Sequence, residues 1–198
     1  MSNRIDLLIE SMNRIEYKPE TDMMTPIDLE KMLVAAAKAK GLDLDTSLFG
    51  LVINELVKPK GLMICGNVGI GKTTILKTFA DVYKIFMNDG MVKNQIRFIS
   101  THRLLTEYKA KGDEVLLEYD KYPLIIDDLG NEPDVVNSYG TKTNPVQTLL
   151  FLRYENKALT YGTSNLHPRQ FREKYGDRLA DRFKEMFTVI TVKGESRR

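Results

Sequence analysis

The sequence predicts an α/β fold in which a parallel sheet lies between layers of helices, with a short helical segment before it. From Gly61 onward, short apolar runs of strand length alternate with helical patterns. These runs are continuously apolar, which is typical of parallel strands buried on both faces. The 198 residues are 42% hydrophobic and 28% charged, as expected for a globular protein. Ligands of such sheets bind at the carboxyl ends of the strands.

The chain up to residue 59 has a helical pattern throughout. One amphipathic stretch covers residues 4–15, and a second begins with Thr25 as N-cap and Pro26 at the first helical position. This second helix is expected to stop at Gly41, because glycine accepts the left-handed conformation that ends helices. A third helix is expected to end at Pro59. We therefore predict a helical N-terminal segment over residues 1–59 and the main domain over residues 60–198.

The main domain contains five candidate strands and four candidate helices. The predicted strands are Leu62–Cys65, Ile96–Ser100, Leu124–Asp127, Leu159–Thr163 and Phe187–Val192. The predicted helices are Lys72–Met87, Thr101–Lys111, Pro145–Tyr154 and Gly176–Glu185. His102 lies at the start of the predicted helix Thr101–Lys111, and His167 before Pro168 marks another helix start, so both histidines are expected to have capping or surface roles.

Composition excludes several classes of protein. Cys65 is the only cysteine, so neither an intrachain disulfide nor a zinc site built on cysteine pairs is expected. The first residues lack the apolar core of a signal peptide, and no apolar run is long enough to span a bilayer, so we expect a cytoplasmic protein without membrane contact. The net charge is +2, but residues 167–198 hold nine Lys/Arg against five Asp/Glu. This basic end suits either phosphate binding or a solvated helix face.

A complete phosphate-binding motif, G-x-x-x-x-G-K-[ST], lies between the first strand and the next helix. Its residues are Gly66, Asn67, Val68, Gly69, Ile70, Gly71, Lys72 and Thr73. The glycines allow successive backbone N–H groups to surround a phosphate, and the helix N-terminus adds its positive dipole end. Lys72 is expected to bind the β- and γ-phosphates of ATP, Thr73 to bind Mg²⁺, and Thr74 to contact the α-phosphate. The spacing differs from the G-x-G-x-x-G pattern of dinucleotide-binding folds.

Two aspartates end the predicted strand of "YPLIIDDLG". Asp127 is expected to hold Mg²⁺, and Asp128 to polarise the water that attacks the γ-phosphate. Many P-loop enzymes use glutamate at the second position, so the shorter Asp128 implies a closer water or a slow reaction. A turn rich in Asp and Gly is the structural alternative. Asn165 follows the strand of "ALTYGTSNLHP" and is a candidate donor to the γ-phosphate, with Thr163 and Ser164 as secondary candidates.

Arg178 and Arg182 lie four residues apart on one flank of the helix in "YGDRLADRFKEMF". Asp177 and Asp181 are available to pair with them, which would be a purely structural role. Alternatively, the guanidinium groups bind the γ-phosphate of a neighbouring subunit or the phosphates of DNA.

The ordered set "GNVGIGKTT", "LIIDDLG", "TSNL", "YGDRLADRF" and "GESRR" resembles the DnaC/DnaI/IstB-like helicase-loader branch of the AAA+ P-loop ATPases. The resemblance covers residues 61–198. It implies a five-stranded parallel core in a three-layer sandwich, with the Asn165 strand between the other two site strands. It further implies that Asn165 is sensor I, that Arg182 or Arg178 is an arginine finger, and that Arg198 is a sensor II arginine.

The same resemblance implies partners. They are ATP, single-stranded DNA, further copies of the chain in an ATP-dependent homo-oligomer, and a replicative helicase or, for IstB-like members, a transposase. The leading hypothesis is a Mg²⁺-dependent ATPase that is slow as an isolated subunit. The alternatives are a transposition helper ATPase, a P-loop kinase for a small molecule, and a nucleotide-gated DNA-binding module that does not hydrolyse ATP.

Overall fold

The computed structural model describes residues 26–41, 46–56, 58–88, 96–138 and 141–192. Its helices are α1 Pro26–Ala39, α2 Thr46–Leu56, α3 Lys72–Asn88, α4 Thr101–Lys111, α5 Glu114–Tyr119, α6 Pro145–Glu155 and α7 Pro168–Met186. Its strands are β1 Gly61–Gly66, β2 Arg97–Ser100, β3 Leu124–Leu129, β4 Val136–Ser138, β5 Thr141–Thr143, β6 Thr160–Ser164 and β7 Phe187–Val192.

Five strands form an all-parallel sheet in the order β2-β3-β6-β1-β7. Strand β6 therefore lies between β1 and β3, as the family resemblance implies. Strands β4 and β5 form a separate antiparallel hairpin between β3 and α6. The predicted α/β fold with a five-stranded parallel core is confirmed.

Helices cover both faces of the sheet, which gives the expected three layers. In β1, Leu62 and Ile64 face a hydrophobic core shared with α1, α2 and α3. Met63 and Cys65 face a second core shared with α4, α5, α6 and α7. Successive residues of a strand point to opposite faces of the sheet. All four side chains are fully buried because helices cover both of those faces. Because α1 and α2 share the first core, the described part of residues 26–56 packs directly on the sheet.

Helix boundaries follow local chemistry closely. Gly41 has a φ of 65°, the left-handed conformation expected after α1. At the start of α4, the Ser100 hydroxyl accepts a hydrogen bond from the Arg103 N–H at 3.2 Å. At the start of α7, the His167 N–H donates to Gln170 Oε1 at 2.7 Å. Helix α7 begins at Pro168, the helix start that His167 and Pro168 marked in the sequence, and it runs on through the separate helix predicted from Gly176.

Gly176 interrupts α7 without ending it. Its backbone is non-helical, with φ 78° and ψ 165°, and an added Cβ would meet no atom within 4 Å. The side-chain amide of Gln147 on α6 donates to the Tyr175 carbonyl at 2.8 Å. The glycine that was expected to begin this helix therefore breaks it into two parts.

A buried arginine joins α6 to the strand that follows it. Arg153 is fully buried, and it donates to Thr160 Oγ1 at 2.9 Å, to the Leu159 carbonyl at 2.7 Å and to the Tyr119 carbonyl. Burial lowers the pKa of the Arg153 guanidinium to about 10. These hydrogen bonds fix the entry of β6, and so the position at which β6 ends.

The described helices include none whose length and hydrophobicity would allow it to cross a bilayer. The predicted helix over residues 4–15 and the cap at Thr25 lie outside the described residues, as does Arg198.

Candidate nucleotide-binding site

The glycine-rich loop connects the buried end of β1 to the start of α3. Gly66 packs against β7 so closely that a Cβ would lie 2.4 Å from the Val192 carbonyl oxygen. Gly71, directly before α3, has a φ of 93°, which side chains with a Cβ rarely adopt. Among the residues between them, Asn67 and Val68 are exposed, Gly69 is half-buried and Ile70 is buried. The loop is therefore exposed at its middle residues and is anchored in the protein by the buried residues Gly66 and Ile70.

Lys72 is the first residue of α3, and its side chain is almost completely buried. Its Nζ donates to the carbonyl oxygens of Gly66 at 2.7 Å and Asn67 at 2.8 Å, and to Asn165 Oδ1 at 2.9 Å. Three oxygens thus satisfy an ammonium group that would be costly to bury alone. This arrangement holds the positive charge between the loop and the end of β6.

Asp127 lies one strand further along the sheet edge and is 6% exposed. Its Oδ1 accepts hydrogen bonds from Thr73 Oγ1 at 2.7 Å and from Thr163 Oγ1 at 2.6 Å. The second predicted metal ligand, Thr73, is therefore in direct contact with the first. We call the group of Lys72, Thr73, Asp127, Thr163 and Asn165 the polar edge.

The donor chemistry of the polar edge fits Mg²⁺. A carboxylate and a hydroxyl are hard oxygen ligands, and Mg²⁺ in nucleotide sites is held by one or two such groups together with phosphates and water. Within the described ranges, no group of three or more His, Cys, Asp or Glu side chains would hold a metal by itself. Thr73 and Asp127 are thus suited to a cation that arrives with a phosphate ligand.

Asp128 is half-buried beside the polar edge and has a left-handed backbone, with a φ of 60°. Its N–H donates to Thr163 Oγ1 at 3.0 Å, and its carbonyl accepts from Thr101 Oγ1 at 3.2 Å. Thr74 is half-buried on the first turn of α3. Both candidate residues lie on the elements that form the polar edge.

Arg178 and Arg182 belong to a different surface. Both guanidinium groups lie over the Phe151 ring, at 5.4 and 5.5 Å from its centroid, and Arg182 also lies 5.0 Å from that of Tyr154. Arg182 donates to the Arg178 carbonyl at 2.8 Å. We call these four side chains the arginine face.

The aspartates of α7 pair with other residues. Asp177 and Asp181 form ion pairs with Arg172, and Asp181 with Lys184. In the described structure, neither arginine of the arginine face has a hydrogen bond or ion pair with the polar edge or with these aspartates. The pairing of Arg178 and Arg182 with Asp177 and Asp181, considered as an alternative from the sequence, is not present.

A buried carboxylate that sequence reasoning missed links the loop after β3 to α7. Glu132 Oε2 accepts the Gly130 N–H at 2.9 Å, and Oε1 accepts the Tyr175 hydroxyl at 2.5 Å. Burial, together with the Glu132 charge, raises the pKa of Tyr175. Lys174 donates to the Glu132 carbonyl at 2.6 Å. The position of Glu132 in a polar, proline-containing loop gave no sign that it would be buried.

Comparison with known proteins identifies the fold. No family model matches the chain, and no curated protein matches it. Among solved structures, the DnaC helicase loader aligns at 20% identity with a TM-score of 0.59, over 77% of this chain and 94% of that one. DnaI aligns at 20% identity with a TM-score of 0.55, over 100% of this chain and 86% of that one.

A third structure, the replication initiator DnaA bound to AMPPCP and single-stranded DNA, aligns at 18% identity with a TM-score of 0.52. This match covers 77% of the chain and 47% of that DnaA chain. At such identities the comparisons establish the fold. The chain has the fold of DnaC and DnaI, so the resemblance to that branch is confirmed at the level of the fold.

Proposed function

We propose that the protein is a Mg²⁺-dependent ATPase of the helicase-loader type that assembles with copies of itself on DNA in the cytoplasm. The observation that carries this proposal is the convergence of Lys72, Thr73, Asp127 and Asn165 at one edge of the sheet through hydrogen bonds of 2.7–2.9 Å. Residues from three separate sequence motifs meet there. Each has the chemistry that binding and hydrolysing a nucleoside triphosphate requires.

Nucleotide binding uses groups that are already aligned. Phosphate oxygens replace the carbonyl and amide oxygens that now accept the Lys72 ammonium protons, and the N–H groups of the loop from Gly66 to Gly71 surround the β-phosphate. Thr73 and Asp127 would hold Mg²⁺, which neutralises charge on the β- and γ-phosphates. Asn165, released from Lys72, then contacts the γ-phosphate. The polar edge is thereby sensitive to the presence of that phosphate.

Hydrolysis requires an aligned water molecule. Asp128 lies next to Asp127 at the same edge, and we assign it the role of polarising that water. One alternative, a nucleotide-gated DNA-binding module without hydrolysis, is favoured by the short side chain of Asp128, since many P-loop enzymes have glutamate at this position.

The arginine face supplies charge to a second molecule. In our proposal, Arg182, or Arg178 in its place, contacts the γ-phosphate held by a neighbouring copy, and Arg198 contacts the nucleotide of its own chain. The support is that both guanidinium groups rest on aromatic rings at the surface rather than in ion pairs. An isolated subunit therefore hydrolyses ATP slowly.

Single-stranded DNA and a replicative helicase are the proposed macromolecular partners. The support is the DnaC fold, whose solved structure is described as a helicase loader, and the DnaA fold, described with single-stranded DNA. A transposition helper would use the same site with a transposase instead. A small-molecule kinase would transfer the γ-phosphate to an acceptor other than water.

Phosphate release measured over a range of protein concentrations tests the ATPase proposal. We expect release that needs Mg²⁺ and whose rate per molecule rises with concentration, and no labelled phosphate on added nucleosides. Asp128→Asn should lower kcat about 10²- to 10⁴-fold and leave the affinity for ATP unchanged. ATP binding without any phosphate release, even at high concentration, would favour the non-hydrolysing module. A pulldown with Asp128→Asn identifies the helicase or transposase.

A further inference from the structure

Strand β3 contains an irregularity at its two aspartates. Ile126 pairs with Gly162 on β6, whereas the next paired positions are Leu129 and Ser164. Three steps along β3 therefore match two steps along β6, and Asp127 and Asp128 together oppose the single residue Thr163. This is a β-bulge, a feature that bends a strand and changes the direction of a side chain.

The bulge changes the backbone that carries the two acids. In a regular strand, successive side chains lie on opposite faces, so one of two adjacent aspartates would be directed away from the other. At this bulge Asp128 takes up a φ of 60°, which residues with a Cβ rarely adopt unless their surroundings hold them there. The bulge thus needs a specific restraint to hold the backbone of Asp128 in this conformation.

Two threonines provide that restraint from the neighbouring elements. Thr163 on β6 accepts the Asp128 N–H at 3.0 Å, and Thr101 at the start of α4 donates to the Asp128 carbonyl at 3.2 Å. Both threonines are buried. The peptide groups on the two sides of Asp128 are therefore held from opposite directions.

Thr163 also fixes the other acid. Its hydroxyl donates to Asp127 Oδ1 at 2.6 Å while it accepts from Asp128. A hydroxyl has one donor and two acceptor positions, so one group is able to make both bonds. The orientation of the Asp127 carboxylate and the backbone of Asp128 are consequently linked through one fully buried oxygen.

We propose that Thr163 is a positioning residue that fixes the orientation of the Asp127 carboxylate and the backbone of Asp128. Thr101 holds the same backbone through the Asp128 carbonyl. This inference rests on the proposed ATPase function and assigns Thr163 a task other than contact with the γ-phosphate. Without the hydroxyl, Asp127 loses one of its two hydrogen-bond donors, the one that remains when Thr73 turns to the cation, and the bulge loses one of its two restraints. Hydrolysis and Mg²⁺ affinity then fall together.

The test compares Thr163→Val, which keeps the shape and removes the hydroxyl, with Thr163→Ser, which keeps the hydroxyl. We expect the valine variant to raise the Mg²⁺ concentration for half-maximal binding of a fluorescent ATP analogue by about tenfold or more. Its kcat should fall about 10- to 100-fold. Affinity for the analogue without Mg²⁺ should change by less than about threefold, since Lys72 and the loop are intact. The serine variant should have the Mg²⁺ dependence and the kcat of the wild type.

Thr78→Val is the matched control. Thr78 is also buried, and in the described structure its Oγ1 has no hydrogen-bond partner. The same substitution there should leave Mg²⁺ dependence and kcat at the wild-type values. Thr101→Val provides a second variant should Thr163→Val not fold, and it should lower kcat with little change in Mg²⁺ dependence, because Thr101 contacts only Asp128 among the two acids.

The outcomes separate this inference from the function on which it rests. A folded Thr163→Val protein with wild-type Mg²⁺ dependence and kcat would overturn the positioning role. If the wild-type chain bound the analogue with Mg²⁺ but released no phosphate, the ATPase proposal would fail. The Mg²⁺ shift in Thr163→Val would still decide whether Thr163 orients Asp127.

Discussion

The polar edge and the arginine face hold their charged side chains in opposite ways. At the polar edge, Lys72 and Asp127 are buried and are hydrogen-bonded to other groups of the same chain. At the arginine face, Arg178 is exposed and lies over Phe151 on α6. One region is assembled within a single molecule, whereas the other presents charge to the outside. In the proposed function, the first region binds the nucleotide of its own chain and the second acts on a neighbouring copy.

The largest expected effect comes from removing the buried charge of the polar edge. Lys72→Ala should weaken binding of a fluorescent ATP analogue by about 100-fold or more, because charged hydrogen bonds to the phosphates are lost. Lys77→Ala is the control, since Lys77 lies exposed on the same helix over the Phe98 ring. Equal affinities of the Lys72 and Lys77 variants, measured by fluorescence titration, would contradict a phosphate site at this edge.

The next effect tests whether the arginine face acts between molecules. Arg182→Ala should reduce phosphate release per molecule at high protein concentration to the level of the dilute wild type, with unchanged ATP affinity. Arg172→Ala, which removes an arginine of the same helix that pairs with Asp177, should retain the concentration dependence. If wild type and Arg182→Ala show the same rate at every concentration, Arg182 has no role in a neighbouring site.

A smaller effect is expected at the contact between α7, which carries the two arginines, and the loop after β3, the strand that carries Asp127. Tyr175→Phe removes the hydrogen bond to the buried Glu132 carboxylate and should lower the free energy of unfolding by about 2 kcal/mol. Tyr154→Phe is the control, because the Tyr154 hydroxyl bonds Glu185 at the exposed surface. Urea denaturation measures both. A loss in Tyr175→Phe no greater than that in Tyr154→Phe would mean that the buried contact contributes little.

The last prediction concerns the chemical reactivity of the buried Cys65 thiol. Burial raises the pKa of the Cys65 thiol to about 11, so the neutral form predominates in the folded protein near pH 8. Alkylation by iodoacetamide should be slow there, and should become faster as the pH rises toward 11 or when urea unfolds the chain. Rapid labelling of the folded protein at pH 8 would show that the end of β1 beneath the polar edge is open to solvent.

Much of the fold was predictable because its signals are local. The strands β2, β3 and β6 agree with the predicted ones to within two residues at each end, since buried apolar runs and helix caps depend on neighbouring residues. The short helix α5 and the hairpin of β4 and β5 were missed. Six residues and two three-residue strands carry too little periodicity to be recognised.

The candidate site was predictable in its motifs but not in its connections. Lys72, Asp127 and Asn165 could be named because each lies in a short motif near the carboxyl end of a predicted strand, and each has a side chain suited to bind phosphate or a metal ion. The double role of Thr163 and the burial of Glu132 depend on which strands are neighbours and on one extra residue in β3. Spacing along the chain does not encode such lateral contacts.

Gly176, the break within α7, has a consequence for the amino acids that the position accepts. Its φ of 78° and ψ of 165° lie in a region that is essentially restricted to glycine, and the space beside it is open. Reflection of these angles gives −78° and −165°, an ordinary extended conformation for an L-residue. The backbone angles at position 176 therefore suit a D-amino acid introduced by chemical synthesis, whereas they strain L-alanine. The obstacle to substitution is handedness rather than room.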